Sequence, residues 1–291
     1  MKKRNYFGLL ALPYGVWMIL FILVPIALIF YFSVIDRTGA FTLDNFKNMV
    51  TYWPIFVRSF WIALLSTVVC LLLGYPLAYL MSHLSPGKQR LCMMLIMLPM
   101  WMNFLLRTYA WMSILENTGF INQFLDFIGL FDLLNSIPQL NWLTNDGNMS
   151  FIPLINNTFA VVLGTVYNFL PFMVLPIYTT LIKLDHRLIE AAQDLGARPS
   201  TVFWKVTLPL SVPGIITGIT MVFVPAVSTF VISKTLGGGK SMLIGDLIDM
   251  QFMGNTYNPQ LGSAIAMVMM ILIFVCMWIM NRFDKEGETL S

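Results

Sequence analysis

Long apolar stretches recur along the chain and are separated by shorter polar segments. A helix needs about 20 apolar residues to cross roughly 30 Å of hydrocarbon. Stretches of that length occur near residues 8–34, 59–82, 91–114, 156–181, 212–233 and 261–281. The pattern predicts an all-α polytopic membrane protein with six transmembrane helices. The first stretch follows a basic start but is too long for a signal peptide, so we expect it to remain as a span.

Composition supports lipid as the surrounding solvent. Hydrophobic residues make up 58% of the 291 residues and charged residues only 11%, with a mean hydropathy of +0.77. These values lie outside the range of ordinary soluble domains. The three cysteines, Cys70, Cys92 and Cys276, fall in apolar stretches without paired spacing. They predict neither a disulfide framework nor a metal site.

The distribution of basic residues predicts the orientation. Most of the 17 Lys and Arg fall on one side of the predicted spans, and short cytoplasmic loops hold the positive charge. Both termini are therefore expected in the cytoplasm. The loop 115–155, which has no Lys or Arg, is expected outside.

The outer loop 115–155 has a helical pattern of its own. Ile121, Phe124, Leu125 and Ile128 recur at helical spacing, which predicts a short amphipathic helix along the outer membrane face. Two interpretations stay open: an interfacial cover, or a docking surface for an external protein.

Proline and glycine interrupt nearly every predicted span. In lipid such breaks persist where neighbouring helices or a water-lined cavity satisfy the freed backbone groups, so we expect the helices to surround a cavity. The pair Gly214 and Gly218 has GxxxG spacing, which would let two helices approach closely. The other interruptions are Pro13, Pro25, Gly74, Pro76, Pro99, Gly164, Pro171, Pro176 and Pro225.

A charged loop, residues 182–211, separates the fourth and fifth predicted spans. Its ionisable residues include Lys183, Asp185, Arg187, Glu190, Asp194, Arg198 and Lys205. At about 3 kcal/mol for each charge at the membrane centre, immersion would cost on the order of 20 kcal/mol. The charged loop is therefore expected in the cytoplasm.

Spacing within the charged loop predicts a helix, a turn and a second helix. Gly196 is placed to end the first helix as a left-handed cap, and Pro199 to open the second. A knob of this kind suits a groove on a soluble partner; the alternative is a simple linker. The residues on one face of the first helix are Leu188, Ala191, Ala192 and Leu195.

The stretch EAAQDLGARPSTVFWKVTLP, residues 190–209, resembles the EAA signature of bacterial ABC-importer permeases. The signature runs Glu-Ala-Ala, three residues, Gly, nine residues, a hydrophobic residue, one residue and Leu-Pro. Val206 is the one departure, since isoleucine is usual there. The matching positions are Glu190, Ala191, Ala192, Gly196, Val206, Leu208 and Pro209.

The resemblance implies a type I ABC-importer permease fold. Its five-helix core would cover 59–281, after an extra N-terminal helix and outer loop at 1–58 and before a cytoplasmic tail at 282–291. In that family the charged loop is the coupling loop, seated in a cleft of an ATP-hydrolysing subunit. The positions carried over as ATPase-coupling residues are Glu190, Ala191, Ala192, Gly196, Leu208 and Pro209.

The resemblance also implies partners. They are two cytoplasmic ATPase subunits, a homologous second permease and a soluble substrate-binding protein outside the membrane. ATP would bind to the ATPase subunits, so this chain would bind no cofactor itself. Neither a metal nor a nucleic acid is expected as a ligand. Over its whole length, including FVISKTLGGGKSMLIGDLI, it resembles the branch of the family that imports polyamines.

Catalytic signatures are missing from the sequence. It has no HExxH, CxxC or nucleophile-elbow pattern, and its two histidines, His83 and His186, fall in predicted cytoplasmic loops. The run Gly237, Gly238, Gly239 imitates part of a phosphate loop but lacks the earlier glycine, where Lys234 stands. We interpret it as an outer gate loop whose glycines permit tight turns before a short apolar helix.

A path for a polycation would combine carboxylates near the mouth with aromatic faces deeper in the membrane. Candidate acids are Glu116, Asp246 and Asp249, and candidate aromatics are Trp101, Trp111 and Tyr167. The alternative is that the acids are solvated and the aromatics pack between helices or lie in interfacial belts. Arg107 is expected to extend to the interface at the outer end of its span.

Two other transport classes compete with a polyamine permease. An ion-gradient transporter usually shows inverted repeats and ionisable groups within its spans, and neither is evident here. An ABC permease for another small solute delivered by a binding protein would share every feature except the cargo.

Overall fold

The computed structural model describes residues 12–135, 150–239, 241–254 and 256–288. The expected start of the first span at 8–11, the loop segment 136–149, Lys240 and the last residues 289–291 lie outside that part of the chain. The helices, numbered in chain order, are α1 Leu12–Ser33, α2 Asp44–Met49, α3 Trp53–Ser82, α4 Pro86–Met97, α5 Phe104–Leu115, α6 Phe120–Phe127, α7 Leu130–Asn135, α8 Thr158–Leu181, α9 His186–Asp194, α10 Pro199–Val202, α11 Leu208–Ser228, α12 Val231–Leu236, α13 Ile244–Met253 and α14 Pro259–Glu288.

Five helical stretches of the described chain are long and apolar enough to cross a membrane. They are Leu12–Ser33, Asp44–Ser82, Thr158–Leu181, Pro199–Ser228 and Pro259–Met280. The predicted span at 91–114, which Pro99 interrupts, is a bent pair of helices rather than one continuous helix. Pro86–Trp101 and Phe104–Phe127 are bent by 92° at a short break, and the number of spans reaches six when the bent pair counts as one.

The break between α4 and α5 has a local cause. Pro99 has no N–H to continue the α-helical ladder, and the chain tightens into a 3-10 turn over Leu98–Trp101. Met102 is extended, and the Asn103 side chain accepts a hydrogen bond of 2.8 Å from the Leu105 N–H. This N-cap starts a new helix in a new direction.

Two π-helical turns precede prolines inside apolar helices. One covers Ile19–Leu23 before Pro25, and the other covers Phe203–Thr207 between α10 and α11, before Pro209. A proline ring in a helix collides with the carbonyl four residues earlier. In both cases that carbonyl lies within the wide turn, so the helix passes the proline without ending.

The described chain divides into two compact units. The first comprises residues 12–54 with Leu247–Phe274, and the second comprises Ile55–Asp246 with 275–288. In the first unit, the Asn45 amide donates to the carbonyls of Ser33 and Ile35 at 3.1 and 2.8 Å. These hydrogen bonds hold the end of α1 against α2.

The core of the second unit is the close packing of α8 against α11. A Cβ added at Gly214 would lie 2.5 Å from Thr180 Oγ1, and one added at Gly218 would lie 2.8 Å from Met173 Sδ. Met173 is fully buried and also lies against Gly74 of α3, where an added Cβ would be 3.0 Å from its Cγ. The predicted close approach at the GxxxG pair is confirmed.

Candidate functional site

The first helix of the charged loop, α9, has a cap at each end. The Asp185 carboxylate accepts a hydrogen bond of 3.0 Å from the Arg187 N–H at the N-terminus. At the C-terminus, Gly196 has a φ of +80°. Its N–H donates to the Gln193 carbonyl at 2.8 Å, and the Ala197 N–H donates to the Ala192 carbonyl at 3.1 Å. This pair of bonds is a Schellman motif, so the predicted left-handed cap is confirmed.

The second part of the charged loop continues into a membrane-spanning helix. Pro199 occupies the first turn of α10 after an extended Arg198, as predicted. From Pro199 the helix runs through the π-turn into α11 and ends at Ser228, a stretch of 30 residues. The second half of the charged loop is therefore continuous with the span α11.

The knob formed by α9 is exposed. Leu195 is 89% exposed and Leu188 is 50% exposed, although both are large apolar side chains. Of the residues carried over from the EAA resemblance, Glu190, Ala191, Gly196 and Pro209 are exposed, whereas Ala192 and Leu208 are half-buried. An apolar face outside the core that also carries charges has the composition of a docking surface.

Two of the three aromatics predicted for a substrate path lie together. The Trp111 and Tyr167 rings meet edge to face with centroids 5.2 Å apart. Both line a cavity of about 610 Å³ whose other walls are Leu65, Val69, Leu73, Thr158, Phe159, Val162, Leu163 and Val166. Trp101 is not in this lining and is 83% exposed.

The predicted acids occupy different settings. Glu116 follows the last residue of α5 and is exposed. Asp246 lies in the first turn of α13, where its Oδ2 accepts a hydrogen bond of 2.8 Å from the Leu243 N–H. Asp249 is half-buried one turn further along the same helix. Asp246 therefore caps a helix N-terminus, a role that needs no substrate.

The glycine run before α13 forms a tight turn. Gly238 and Gly239 have φ values of +55° and +74°, which only glycine adopts freely. A Cβ at Gly238 would collide with the side chain of Asn156, whose own N–H donates to the Leu236 carbonyl at 2.9 Å. Gly237 is buried beside Val161 and Ser241. The predicted turn and the short helix after it are both present.

The helix predicted in the outer loop is α6. Asn122 fixes it, because its amide donates to the Glu116 and Ile152 carbonyls and its oxygen accepts from the Ile152 N–H. The expected apolar residues divide between two settings: Ile121 and Leu125 are half-buried, while Phe124 and Ile128 are exposed. The helix is anchored on one side and presents aromatic side chains on the other.

Arg107 does not extend to an interface, and that prediction was wrong. It is 8% exposed, and its guanidinium carbon lies 5.9 Å from the centre of the Phe104 ring. Nε and Nη1 are buried without a hydrogen-bond partner among the described residues. The sequence analysis placed Arg107 near the outer end of its span, whereas the break at Met102 and Asn103 places it in the first turns of a redirected helix.

The sequence analysis looked for charged and aromatic residues in the spans and therefore missed the buried neutral polar residues. Asn168, near the middle of α8, is 3% exposed and donates to the Gly164 carbonyl at 2.8 Å. Tyr75 and Ser211 share a buried hydrogen bond of 3.1 Å between α3 and α11. A polar residue inside a long apolar stretch was the available signal.

These features define a class: a polytopic helical membrane protein with a capped, exposed loop between two tightly packed spans. The family model described as binding-protein-dependent transport system inner membrane component matches residues 3–286. The chain belongs to this family. It is accordingly a multi-pass inner-membrane permease subunit, the non-catalytic transmembrane component of an ABC importer that works with an ATPase and a binding protein.

Relatives match over most of the chain. It is 35% identical over 279 residues to the spermidine/putrescine transport system permease protein PotB of Haemophilus influenzae, covering 92% of this chain and 91% of that protein. It is 34% identical to the PotB of Escherichia coli, covering 94% and 97%. Among solved structures, a bacterial ABC transporter involved in import of the acidic polysaccharide alginate has a chain with a TM-score of 0.69 and 18% identity, covering 97% of this chain and 95% of that one. The last comparison shows the fold alone.

Proposed function

We propose that this chain is a permease subunit of an ATP-driven importer of polyamines such as spermidine and putrescine. The assignment of the substrate rests on the 34–35% identity, over more than nine-tenths of the chain, to relatives named for spermidine and putrescine transport. The alternative is an ABC importer of another small solute with the same permease fold.

The charged loop is the proposed coupling element. Its exposed leucines, Leu188 and Leu195, would enter a cleft on a cytoplasmic ATPase, and Glu190 at its surface would pair with a polar group at the rim. The Schellman turn at Gly196 sets the direction of the chain between the two helices. Ala191 and Ala192 keep the helix surface flat enough for close approach, and Leu208 and Pro209 join the loop to α11.

Closure of two ATPase subunits on ATP would displace the charged loop. Because α8 and α11 flank it and pack through Gly214 and Gly218, the two spans would tilt together and change which side of the membrane the cavity faces. A homologous second permease would complete the cavity. This cycle requires the charged loop and both termini on the cytoplasmic side, as the distribution of Lys and Arg predicts.

The proposed path for the cargo begins at outer acids and continues past aromatics. Trp111 and Tyr167 are the pair best placed to hold an ammonium group by cation–π contact. The other members proposed for the path are Glu116, Asp246, Asp249 and Trp101, and the proposed outer gate is Gly237, Gly238 and Gly239.

Selectivity would lie mainly in the external binding protein, because the described spans carry no buried carboxylate at their midpoints. Exchanging the binding protein for one with a different amine preference should therefore retarget uptake. The control is Trp111→Ala or Tyr167→Ala with the original binding protein, which should slow uptake of every amine alike. A change in the order of preferred amines in either variant would place selectivity in the permease.

The proposed function is tested by reconstitution in proteoliposomes with the ATPase, the second permease and the binding protein. Uptake of radiolabelled spermidine and putrescine should require internal ATP and the binding protein, whereas an uncharged solute of similar length should not enter. Uptake driven by an ion gradient without ATP would contradict the ABC mechanism. ATP-dependent uptake of the uncharged solute alone would contradict the polyamine assignment.

A further inference from the structure

An aromatic cluster connects the charged loop to a span that does not adjoin it in sequence. Tyr75 and Tyr79 lie one turn apart near the C-terminal end of α3, and Phe203 is the first residue of the π-turn in the charged loop. The Phe203 ring meets Tyr75 at 5.9 Å and 81°, and Tyr79 at 5.2 Å and 86°. We call these three residues the aromatic clasp.

Neighbouring groups fix the two tyrosines of the aromatic clasp. Tyr75 is 8% exposed, and its hydroxyl lies 3.1 Å from the hydroxyl of the fully buried Ser211 on α11. The Tyr79 ring lies 4.5 Å from the His83 ring, and His83 Nδ1 lies 2.8 Å from the Tyr79 carbonyl oxygen. The clasp therefore joins the two tyrosine rings of α3 to Phe203 of the charged loop, which is the element that moves in the proposed cycle.

Backbone geometry sets the direction of the third ring. Phe203 begins the π-turn, and its carbonyl accepts the hydrogen bond from the Leu208 N–H. Pro209, two residues after the turn, favours this wide geometry because its ring collides with a regular α-helical carbonyl. The Leu-Pro end of the EAA stretch therefore directly follows the π-turn that carries Phe203.

We propose that the aromatic clasp carries the displacement of the charged loop into α3, so that three spans respond to the ATPase. This inference rests on the proposed coupling function. The spans α8 and α11 follow the loop because they are continuous with it. The span α3 is connected to it by side chains alone, and two edge-to-face contacts with a buried hydrogen bond give the connection a defined geometry.

The test uses the complete reconstituted transporter and three readouts: the amount of ATPase that co-purifies, the rate of ATP hydrolysis and the uptake per ATP. Phe203→Ala removes the central ring, and Phe203→Tyr keeps it. The matched control is Leu80→Ala, on the same turn of α3 with a side chain that is 65% exposed.

We expect Phe203→Ala to retain the ATPase and its hydrolysis while uptake per ATP falls by about tenfold, the size of effect typical of a broken coupling contact. Phe203→Tyr should restore uptake per ATP, and Leu80→Ala should not change it. Unchanged uptake per ATP in Phe203→Ala would overturn the inference. So would a loss of uptake that follows a loss of bound ATPase, because the residue would then act in docking.

A parallel variant, Glu190→Ala combined with Gly196→Val, distinguishes failure of the proposed function from failure of the clasp inference. If that variant keeps the ATPase and full uptake, the coupling assignment of the loop fails, whatever the clasp variants do. If it loses uptake while Phe203→Ala keeps full uptake per ATP, only the clasp inference fails.

Cross-linking supplies a second test, in which a covalent link replaces the ring contacts of the clasp. A thiol-specific bifunctional reagent should join Tyr79→Cys to Phe203→Cys, with each single variant as the control for the free Cys70, Cys92 and Cys276. Because the covalent link replaces the lost ring contacts while the loop and α3 move together, cross-linking should raise uptake per ATP above that of the same double variant before cross-linking. Arrest of import on cross-linking would show that loop and span separate during the cycle, which contradicts the inference.

Discussion

At the scale of the residue, two positions matter most: Gly196, which turns the charged loop, and Arg107, whose guanidinium is buried. The left-handed conformation of Gly196 follows from its place after an amphipathic segment and before Arg-Pro, all within a few positions of the chain. Arg107 looks like an interfacial residue because it stands near the end of an apolar stretch. Its burial depends on a change of helix direction and on packing by distant segments, which no local pattern contains.

The residue Gly196 gives the first prediction. Gly196→Val should disrupt the turn of the charged loop, since a residue other than glycine in the left-handed region costs roughly 1–2 kcal/mol. If docking requires the native turn, the affinity for the ATPase falls by about tenfold. Titration of the detergent-purified permease with the ATPase measures this affinity. Gly196→Asn is the matched control, because asparagine tolerates the left-handed region, and equal affinities of both variants and the parent would contradict the account.

The residue Arg107 gives the second prediction. Buried donors without partners cost about 1–3 kcal/mol each, and more when charged, so Arg107→Met should raise the thermal unfolding midpoint of the purified chain. Methionine fills similar space and needs no hydrogen bond. A lower midpoint would show that the guanidinium makes a stabilising interaction that the described residues do not contain. Arg90→Met, at an exposed arginine, should leave the midpoint unchanged.

At the scale of the element, hydrophobic periodicity and length predicted most helices, but not the angles between their parts. Pro99 was recognised as an interruption, yet a proline permits either a kink or a complete break. Here the Asn103 side chain caps a new helix, so the chain breaks instead of kinking. The π-turns before Pro25 and Pro209 were likewise absent from the prediction, because the widened geometry leaves no distinctive mark in the order of apolar residues.

The pairing of α8 with α11 gives the third prediction. Gly218→Leu should separate these helices, because an added Cβ already meets Met173 Sδ at 2.8 Å, and overpacking costs about 1–3 kcal/mol. The variant should unfold at a lower temperature in detergent and should import less per ATP hydrolysed. Gly87→Ala, where an added Cβ meets nothing within 4 Å, should match the parent in both measurements, and an unaffected Gly218→Leu would contradict tight coupling of the two spans.

At the scale of the whole molecule, the chain combines helices long enough to span a membrane with an exposed loop, and it belongs to a family of non-catalytic permease subunits. Helices long enough to span a membrane, an exposed helix α9 between two spans and close packing of those spans were all predicted from composition, charge, glycine spacing and the EAA resemblance. The partners' contributions were not, because a single chain carries no contacts to an ATPase, a second permease or a binding protein. The substrate path is similarly incomplete, because in the proposed complex a second permease would supply the remaining walls of the cavity.

The measurement that tests the central claim most directly is site-specific photocross-linking from position 195 in the assembled transporter. A photoreactive amino acid replaces Leu195, whose side chain is 89% exposed at the end of the knob, and the linked product is identified by mass spectrometry. The account predicts linkage to the cytoplasmic ATPase. Linkage only to lipid, to the same chain or to a protein on the outer side of the membrane would contradict it.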